Sequence, residues 1–259
     1  MRLAGIDRSS TFLTAEWRKL IMAQYVVKPK LLMPYLPQGV ELDLFHHPSG
    51  ESRCYVSLVA FLFDKVRVKS LPVPLHTRFE EINLRFYVQR REDDGSVKRG
   101  VVFVREFVPR LAIAWVAKRF YEEPYVAVPT RSEISSDGKT LNAKYGWKLG
   151  GRWHTLSAAA YLPPQAIALG SEEEFLTEHY WGYTKRSDGS TSAYQVEHPR
   201  WETYRLQSYE IDVDFERLYG PEFAFLNGAR ESSVLLAEGS GVAVRSGFPL
   251  MTSQAALPI

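Results

Sequence analysis

The chain has 259 residues with 32 Lys and Arg against 30 Asp and Glu, a formal net charge of +2, and its basic residues are scattered rather than gathered into a stripe, which excludes an electrostatic case for nucleic acid. Apolar residues make up 45% and charged residues 24%, the balance of a soluble chain with a sizeable core; no run of about 18 apolar residues exists to span a membrane, and the amino terminus lacks a signal-peptide stretch. The lone Cys54 excludes an internal disulfide framework and a cysteine-rich metal site, so the expectation is one domain over residues 1–259 in a reducing, cytoplasmic compartment, with self-association left open.

Strand signals dominate in chain order. LIMAQYVV reads as a strand, KPKLLMPYL as a short helical turn bounded by prolines, and GVELDLF and CYVSLVAFLF as strands, the second apolar on both faces and therefore central. EEINLRFYVQR alternates: Glu81, Asn83, Arg85 and Tyr87 share one face, Ile82, Leu84, Phe86 and Val88 the other. EDDGSVK turns the chain into RGVVFVREF, and PRLAIAWVAKRFYEE is the one long helix predicted. EEPYVAVP, the stretch from Lys139 to Lys148 and WHTLSAAAYL continue the strands; Ser171 with Glu174 forms a capping box for a short helix. RLQSYEIDVDF, SSVLLAEG and GVAVRSG end the series. The pattern predicts an α+β fold of mostly antiparallel strands around one core.

Between the capped helix and RLQSYEIDVDF lies EHYWGYTKRSDGSTSAYQVEHPRW, a predicted hairpin with Asp188-Gly189 as a two-residue turn. Symmetric pairing sets Tyr183 opposite Tyr194, Trp181 opposite Val196 and His179 opposite His198, so that the two imidazoles share a proton, a water or an ion. The competing reading is an aromatic ladder with two histidines at its wetter end. A metal is not expected, because Glu178 and Glu197 would face away from the histidines and leave two ligands where catalytic zinc takes three. His46, His47 and His154 read as solvent-facing loop residues, and His76 as a linker residue. No GxSxG elbow or phosphate loop occurs.

The strings AEWRKLIMAQYVVKPKLLMPYLPQGVELDL, FEEINLRFYV, RGVVFVREFVPRLAIAWVAKRFYEEPYVAV, SEEEFLTEHYWGYT and YQVEHPRW together resemble the YqjF-like family, a domain family of unknown function numbered 2071 and allied in fold to acetoacetate decarboxylase. The resemblance runs from about Thr14 to Gly247. It implies a cone-like β-barrel with a ligand cavity. By similarity to the decarboxylase, Arg18, seven residues before Tyr25, stands where an arginine holds the substrate carboxylate, and Glu81 matches a cavity glutamate. Ser57 replaces a second cavity glutamate. Where that enzyme has a lysine pair after a proline, Pro124 is followed here by Tyr125 and Val126, so no Schiff-base amine stands at that place; Lys118 on the helix is the one substitute to weigh.

Two functions follow from these readings. One is a barrel binding a small, carboxylate-bearing molecule through Arg18, Glu81, Asn83, Arg85, Tyr125 and Trp181. The other is a lyase or isomerase acting on an oxo acid without a cofactor, with Glu81 as acid or base and His179 or His198 relaying the proton. A displaced pKa on an enclosed Glu81 favours the second. Arg18, Glu81 and Arg85 are expected to converge beneath the histidine hairpin.

Overall fold

The computed structural model describes residues 11–72, 77–109 and 123–250. The predicted long helix with Lys118, and His76, lie outside the described residues. The principal strands are β1 (Thr11–Val26), β2 (Tyr55–Val68), β3 (Phe79–Arg91), β4 (Val97–Val108), β5 (Tyr125–Ala127), β6 (Thr130–Ser136), β7 (Thr140–Leu149), β8 (Arg152–Tyr161), β9 (Trp181–Lys185), β10 (Thr191–Glu197), β11 (Leu206–Asp212) and β12 (Ser233–Arg245). Two short helices, α1 (Glu172–Thr177) and α2 (Phe215–Tyr219), complete the set used below.

In the large sheet β12, β1, β2, β3 and β4 pair in that order, all antiparallel. β9 then joins β4 in parallel and β10 antiparallel. β10 also pairs β12, through Val196 with Val244 and Glu197 with Ala243, so the hydrogen-bonded path returns to its first strand. β5 runs parallel to β4. The sheet is therefore mixed: the chain reaches β5 and β9 through long connections, which is what parallel neighbours require. β6, β7, β8 and β11 form a second, antiparallel sheet.

The doubly apolar stretch of β2 explains the layering. Val56, Leu58, Ala60 and Leu62 turn with Ile21, Ile82, Leu84 and Phe86 toward Tyr145, Trp147, Leu156 and Ala158 of the second sheet. Val59, Phe61 and Phe63 turn the other way, with Met22, Tyr87, Phe175, Val196 and Trp201. This second face, here the inner face, also carries the polar side chains of β3.

Several local expectations change. SSVLLAEG and GVAVRSG form one strand, because Gly239 adopts φ +78° and lies so close to the Trp17 carbonyl that any Cβ there would collide with it. GVELDLF contributes Glu41–Leu42, paired to β3, and Phe45, which opens a two-residue strand Phe45–His46 paired with Ser52–Arg53. KPKLLMPYL forms two 3-10 turns, Pro29–Leu31 and Met33–Tyr35. The capping residue holds: Ser171 Oγ accepts from the Glu174 amide at 3.1 Å. No helix among the described residues is long and apolar enough to cross a membrane.

Candidate functional site: a buried acidic cluster

Strand registers place the site. One cross-strand row runs Met22, Val59, Asn83, Glu106, Tyr125 over β1 to β5. The next row runs Gln24, Ser57, Arg85, Phe103. Between these rows the β3–β4 register shifts at Leu84/Arg85, and such a bulge reverses the parity of alternation on one strand. Phe103 and Glu106, three apart in sequence, consequently stand in the rows of Arg85 and Asn83 on one face.

Glu81, Glu106 and Glu123 are all buried, at 4%, 0% and 4% exposure. Asn83 Nδ2 donates to Glu81 Oε1 at 3.1 Å, and the Tyr125 hydroxyl points at Glu81 Oε2 from 3.5 Å. Thr184 Oγ1 reaches Glu123 Oε1 at 3.4 Å, and the Tyr194 hydroxyl is hydrogen-bonded to Glu123 as well. Burial pushes Glu81 up to about 7, although donors from Glu106, Asn83 and Tyr125 and the charge of Arg85 hold it down. Burial and the Glu81 charge carry Glu123 to about 8. Glu106 stands well above the carboxylate range, through burial and the charges of Glu123 and Glu81. As a carboxylate, Glu106 would have the Tyr125 hydroxyl as donor, with the charges of Glu123 and Glu81 against it. Protonated, it becomes the donor in its hydrogen bond with Glu81. The cluster thus holds one resident acid, Glu106, beside a group poised to exchange a proton near neutrality.

A second pole lies along the same face. His179 Nε2 bonds Asp43 Oδ2 at 3.0 Å, and Arg99 Nε donates to that oxygen at 2.7 Å. Burial lowers His179 to about 4, so it is neutral at physiological pH. Against the burial that would raise it, hydrogen bonds from His179 and Arg99 hold the Asp43 carboxyl below its usual range. The His179 ring packs on Tyr87 at 4.8 Å and Phe175 at 5.1 Å. The Tyr87 hydroxyl is 2.8 Å from Ser57 Oγ, which donates to Gln24 Oε1. No ion pair to Arg85 is formed among the described residues; its guanidinium lies over the Tyr87 ring at 5.8 Å.

The remaining sequence expectations divide. Glu81, Asn83, Arg85 and Tyr125 stand on the inner face. Arg18 does not: Trp17 takes the inner position, packing on Phe61 and Phe63, so alternation turns Arg18 outward to Glu16 at 3.0 Å and Glu238 at 3.4 Å. Convergence of Arg18 with Glu81 is therefore corrected. Trp181 also lies apart, stacked with Tyr183 at 6.4 Å and beneath Lys98.

The histidine pairing is corrected too. Arg186 N–H bonds the Ser190 carbonyl, making Ser187-Asp188-Gly189 a three-residue loop. Tyr183 pairs Ala193 and Trp181 pairs Gln195, one step from the expected register. Tyr194 falls instead opposite Gly182. His198 stacks on Trp201 at 4.4 Å and bonds the Pro199 carbonyl, away from Asp43 and His179. His154, expected in solvent, is fully buried beside Trp147. Cys54 is buried and raised to about 11, an inert thiol. Among the described residues, no three or more His, Cys, Asp or Glu form a group suited to a metal ion.

The fold is that of the acetoacetate decarboxylases. An acetoacetate decarboxylase from Legionella pneumophila superposes with TM-score 0.59 at 12% identity, covering 96% of this chain and 92% of that one. An acetoacetate decarboxylase-like enzyme from Sphingomonas wittichii RW1 gives 0.61 at 11%, covering 93% and 94%. The enduracididine biosynthesis enzyme MppR, solved with a condensation product of pyruvate and imidazole 4-carboxaldehyde, gives 0.57 at 11%, covering 93% and 90%. No curated protein sequence matches significantly. The model of DUF2071, an uncharacterized conserved protein family, matches residues 14–241, and the chain belongs to that family.

Proposed function

We propose that the protein is an enzyme of proton transfer, an isomerase or lyase acting on a small oxo acid with its own side chains as acid and base. One observation carries this reading: three buried carboxyl groups share one space with their proton affinities driven apart, Glu81 sitting near 7 and Glu106 far higher. A site that only binds a carboxylate has no use for three more carboxyl groups, which would oppose the anion. The returning strand path and the polar inner face support a cone-like barrel around the substrate. The carboxylate-binding reading survives within this one, with Arg85 as the anchor. The oxo-acid class also accords with the pyruvate-derived product held by MppR.

In the proposed step Glu81, as carboxylate, takes a proton from the carbon next to the substrate carbonyl. The C–H electrons form the C=C bond of an enolate and the carbonyl pair moves to oxygen. The Tyr125 hydroxyl and the Glu106 O–H, directed at Glu81 before substrate enters, turn to donate hydrogen bonds to that oxygen. Where the substrate has a C=C beyond that carbon, conjugated with the enolate, return of the proton from Glu81 to its far carbon re-forms the carbonyl with the double bond shifted and completes an isomerisation; where it has a leaving group there instead, the enolate pair forms the new C=C as the carbonyl re-forms, and the group departs with its bonding pair and takes the Glu81 proton, which completes a lysis. Imine chemistry is not proposed at Val126, because valine offers no amine.

The test is deuterium exchange into 2-oxobutyrate, acetoacetate and oxaloacetate in heavy water, followed by proton NMR. Wild type should accelerate exchange of at least one of them, and Glu81→Gln should reduce the acceleration by about 100-fold or more. Exchange at the buffer rate with all three, or full activity in a folded Glu81→Gln, rejects the reading.

A further inference from the structure

Several buried polar atoms on the inner face lack partners, as do Trp147 Nε1, His154 Nε2 and Tyr219 OH in the core between the sheets. Among the described residues Gln24 Nε2, Asn83 Oδ1, Arg85 Nε and His179 Nδ1 are buried on this face with no hydrogen-bond partner. Native proteins leave few such atoms, so a cluster of them on one face marks a place that a bound molecule completes. Asn83 belongs to the acidic pole described above. The other three surround Tyr87.

Their chemistry is specific. Gln24 and Arg85 flank Ser57 in one cross-strand row. Ser57 occupies the Gln24 oxygen, leaving the amide N–H groups to donate. Arg85 also interacts with the Tyr87 hydroxyl, and its Nε–H remains unused. Two donors, one of them cationic and unpaired with any carboxylate among the described residues, suit an anionic oxygen. His179 is the opposite case. The Nε2–H donates to the Asp43 carboxylate, which fixes the tautomer and leaves Nδ1 a bare lone pair. That atom accepts only; it needs an O–H or N–H donor.

We propose that Gln24, Arg85 and His179 form a recognition subsite for a carboxylate that carries a neighbouring hydroxyl, so that the substrate or product is a hydroxy acid rather than a plain oxo acid. This inference rests on reading the inner face as the substrate site. The carboxylate lies between Arg85 and Gln24, and the hydroxyl donates to His179 Nδ1. Asp43 and Arg99 are positioning residues: they hold the imidazole through Nε2 without touching the ligand. A buried acceptor built for a hydroxyl rejects the analogue lacking it, because the acceptor is then left unpaired.

The experiment compares matched acids by calorimetry and thermal shift: glycolate with acetate, lactate with propionate, and 3-hydroxybutyrate with butyrate. At least one hydroxy acid should bind wild type about tenfold tighter than its partner. Arg85→Gln should weaken both members of that pair by about tenfold. His179→Phe should bring the two within about twofold of each other while leaving the plain acid's affinity unchanged. Equal affinities in wild type, no binding of any probe, or a hydroxyl preference that survives His179→Phe overturns the proposal. If His179→Phe does not fold, the 15N resonance of His179 Nδ1 in wild type decides: it should move with the hydroxy acid and stay still with its partner, and a resonance unmoved by both overturns the idea. The two proposals fail separately. Hydroxyl-selective binding without proton exchange leaves this subsite standing and rejects the isomerase or lyase reading; exchange without hydroxyl selectivity does the reverse.

Discussion

Three carboxyl groups in one dry space cannot all ionise, and Glu123 is the member whose removal isolates that conflict. Its carboxyl is raised to about 8 in the folded protein, chiefly by burial, whereas in the unfolded chain it titrates near the ordinary glutamate value of about 4.3. Between those values the native state holds a proton that the unfolded state has released, so the stability tied to this group is full at low pH and is lost as pH rises through the window. His179 acts oppositely. Lowered to about 4 by burial, it makes the native state release its proton first, so its contribution is lost as pH falls from about 6.5 toward 4. Wild-type stability should therefore peak near mildly acidic pH. Glu123→Gln keeps an acceptor for Thr184 and Tyr194 but carries no titrating group. It should match wild type near pH 5 and exceed it by about 4 kcal/mol at pH 8.5, read as melting temperatures across that range. A difference that is constant with pH, or of opposite sign, removes the shared-charge account of this cluster.

At the scale of elements, the hairpin of β9 and β10 decides which side chains meet Glu123. Tyr194 lies flat against Gly182, its directly opposed partner, and a Cβ at Gly182 would collide with the ring. Gly182→Ala should therefore cost about 2 kcal/mol and swing the Tyr194 hydroxyl off Glu123. Combined with Tyr194→Ala, which vacates the space, the double variant should recover most of the Gly182→Ala cost. Denaturant titration of the four proteins gives the coupling directly, and strict additivity would show that the ring and the glycine do not meet. The same hairpin marks the limit of sequence reading. The strands, the inner polar row of β3 and the capped helix were legible from alternation and capping residues. The register was not, because Asp-Gly was taken as a two-residue turn. In the two Asp-Gly loops followed by serine the aspartate accepts from that serine's amide, Asp94 from Ser96 and Asp188 from Ser190, each at 2.9 Å, and each loop holds three residues; at Asp137-Gly138 the next residue is Lys139, and the Asp137 amide bonds the Thr140 carbonyl across a two-residue loop. The serine after Asp-Gly was the available signal. Glu106 was missed for a related reason: a bulge changes parity without altering composition, so RGVVFVREF shows no alternation that would set Glu106 beside Asn83. Asp43, expected as an ordinary strand residue, came to His179 through a contact 136 residues apart, which no local pattern encodes.

Across the whole molecule, the two faces of the large sheet divide the work. The outer face packs aliphatic and aromatic side chains against the second sheet, an arrangement that stabilises by removing apolar surface from water, with Trp147 Nε1, His154 Nε2 and Tyr219 OH as its unpartnered polar atoms among the described residues. The inner face places Asn83, Gln24, Arg85 and His179 with unmet hydrogen-bonding capacity, which costs stability unless something binds there. Natural proteins tolerate that cost where function requires it, so substitutions on the two faces should separate stability from activity in opposite directions. Leu156 has no exposed surface and faces β7 and the outer core. Leu156→Ala should lose about 3 kcal/mol through the cavity it leaves, yet its proton-exchange rate per folded molecule, measured well below its melting temperature, should equal that of wild type. Glu106→Gln removes a carboxyl group that is buried beside two others and supplies an amide of the same shape. It should raise the melting temperature at pH 8 while lowering exchange by about 100-fold, since the amide is a weaker donor toward a developing oxyanion than the resident acid. Both measurements belong on the same samples, melting curves beside exchange rates. If Leu156→Ala slows exchange in folded protein as strongly as Glu106→Gln does, or if Glu106→Gln lowers stability at pH 8, then the inner face does not hold the chemistry apart from the core, and the orphaned polar atoms reflect packing alone.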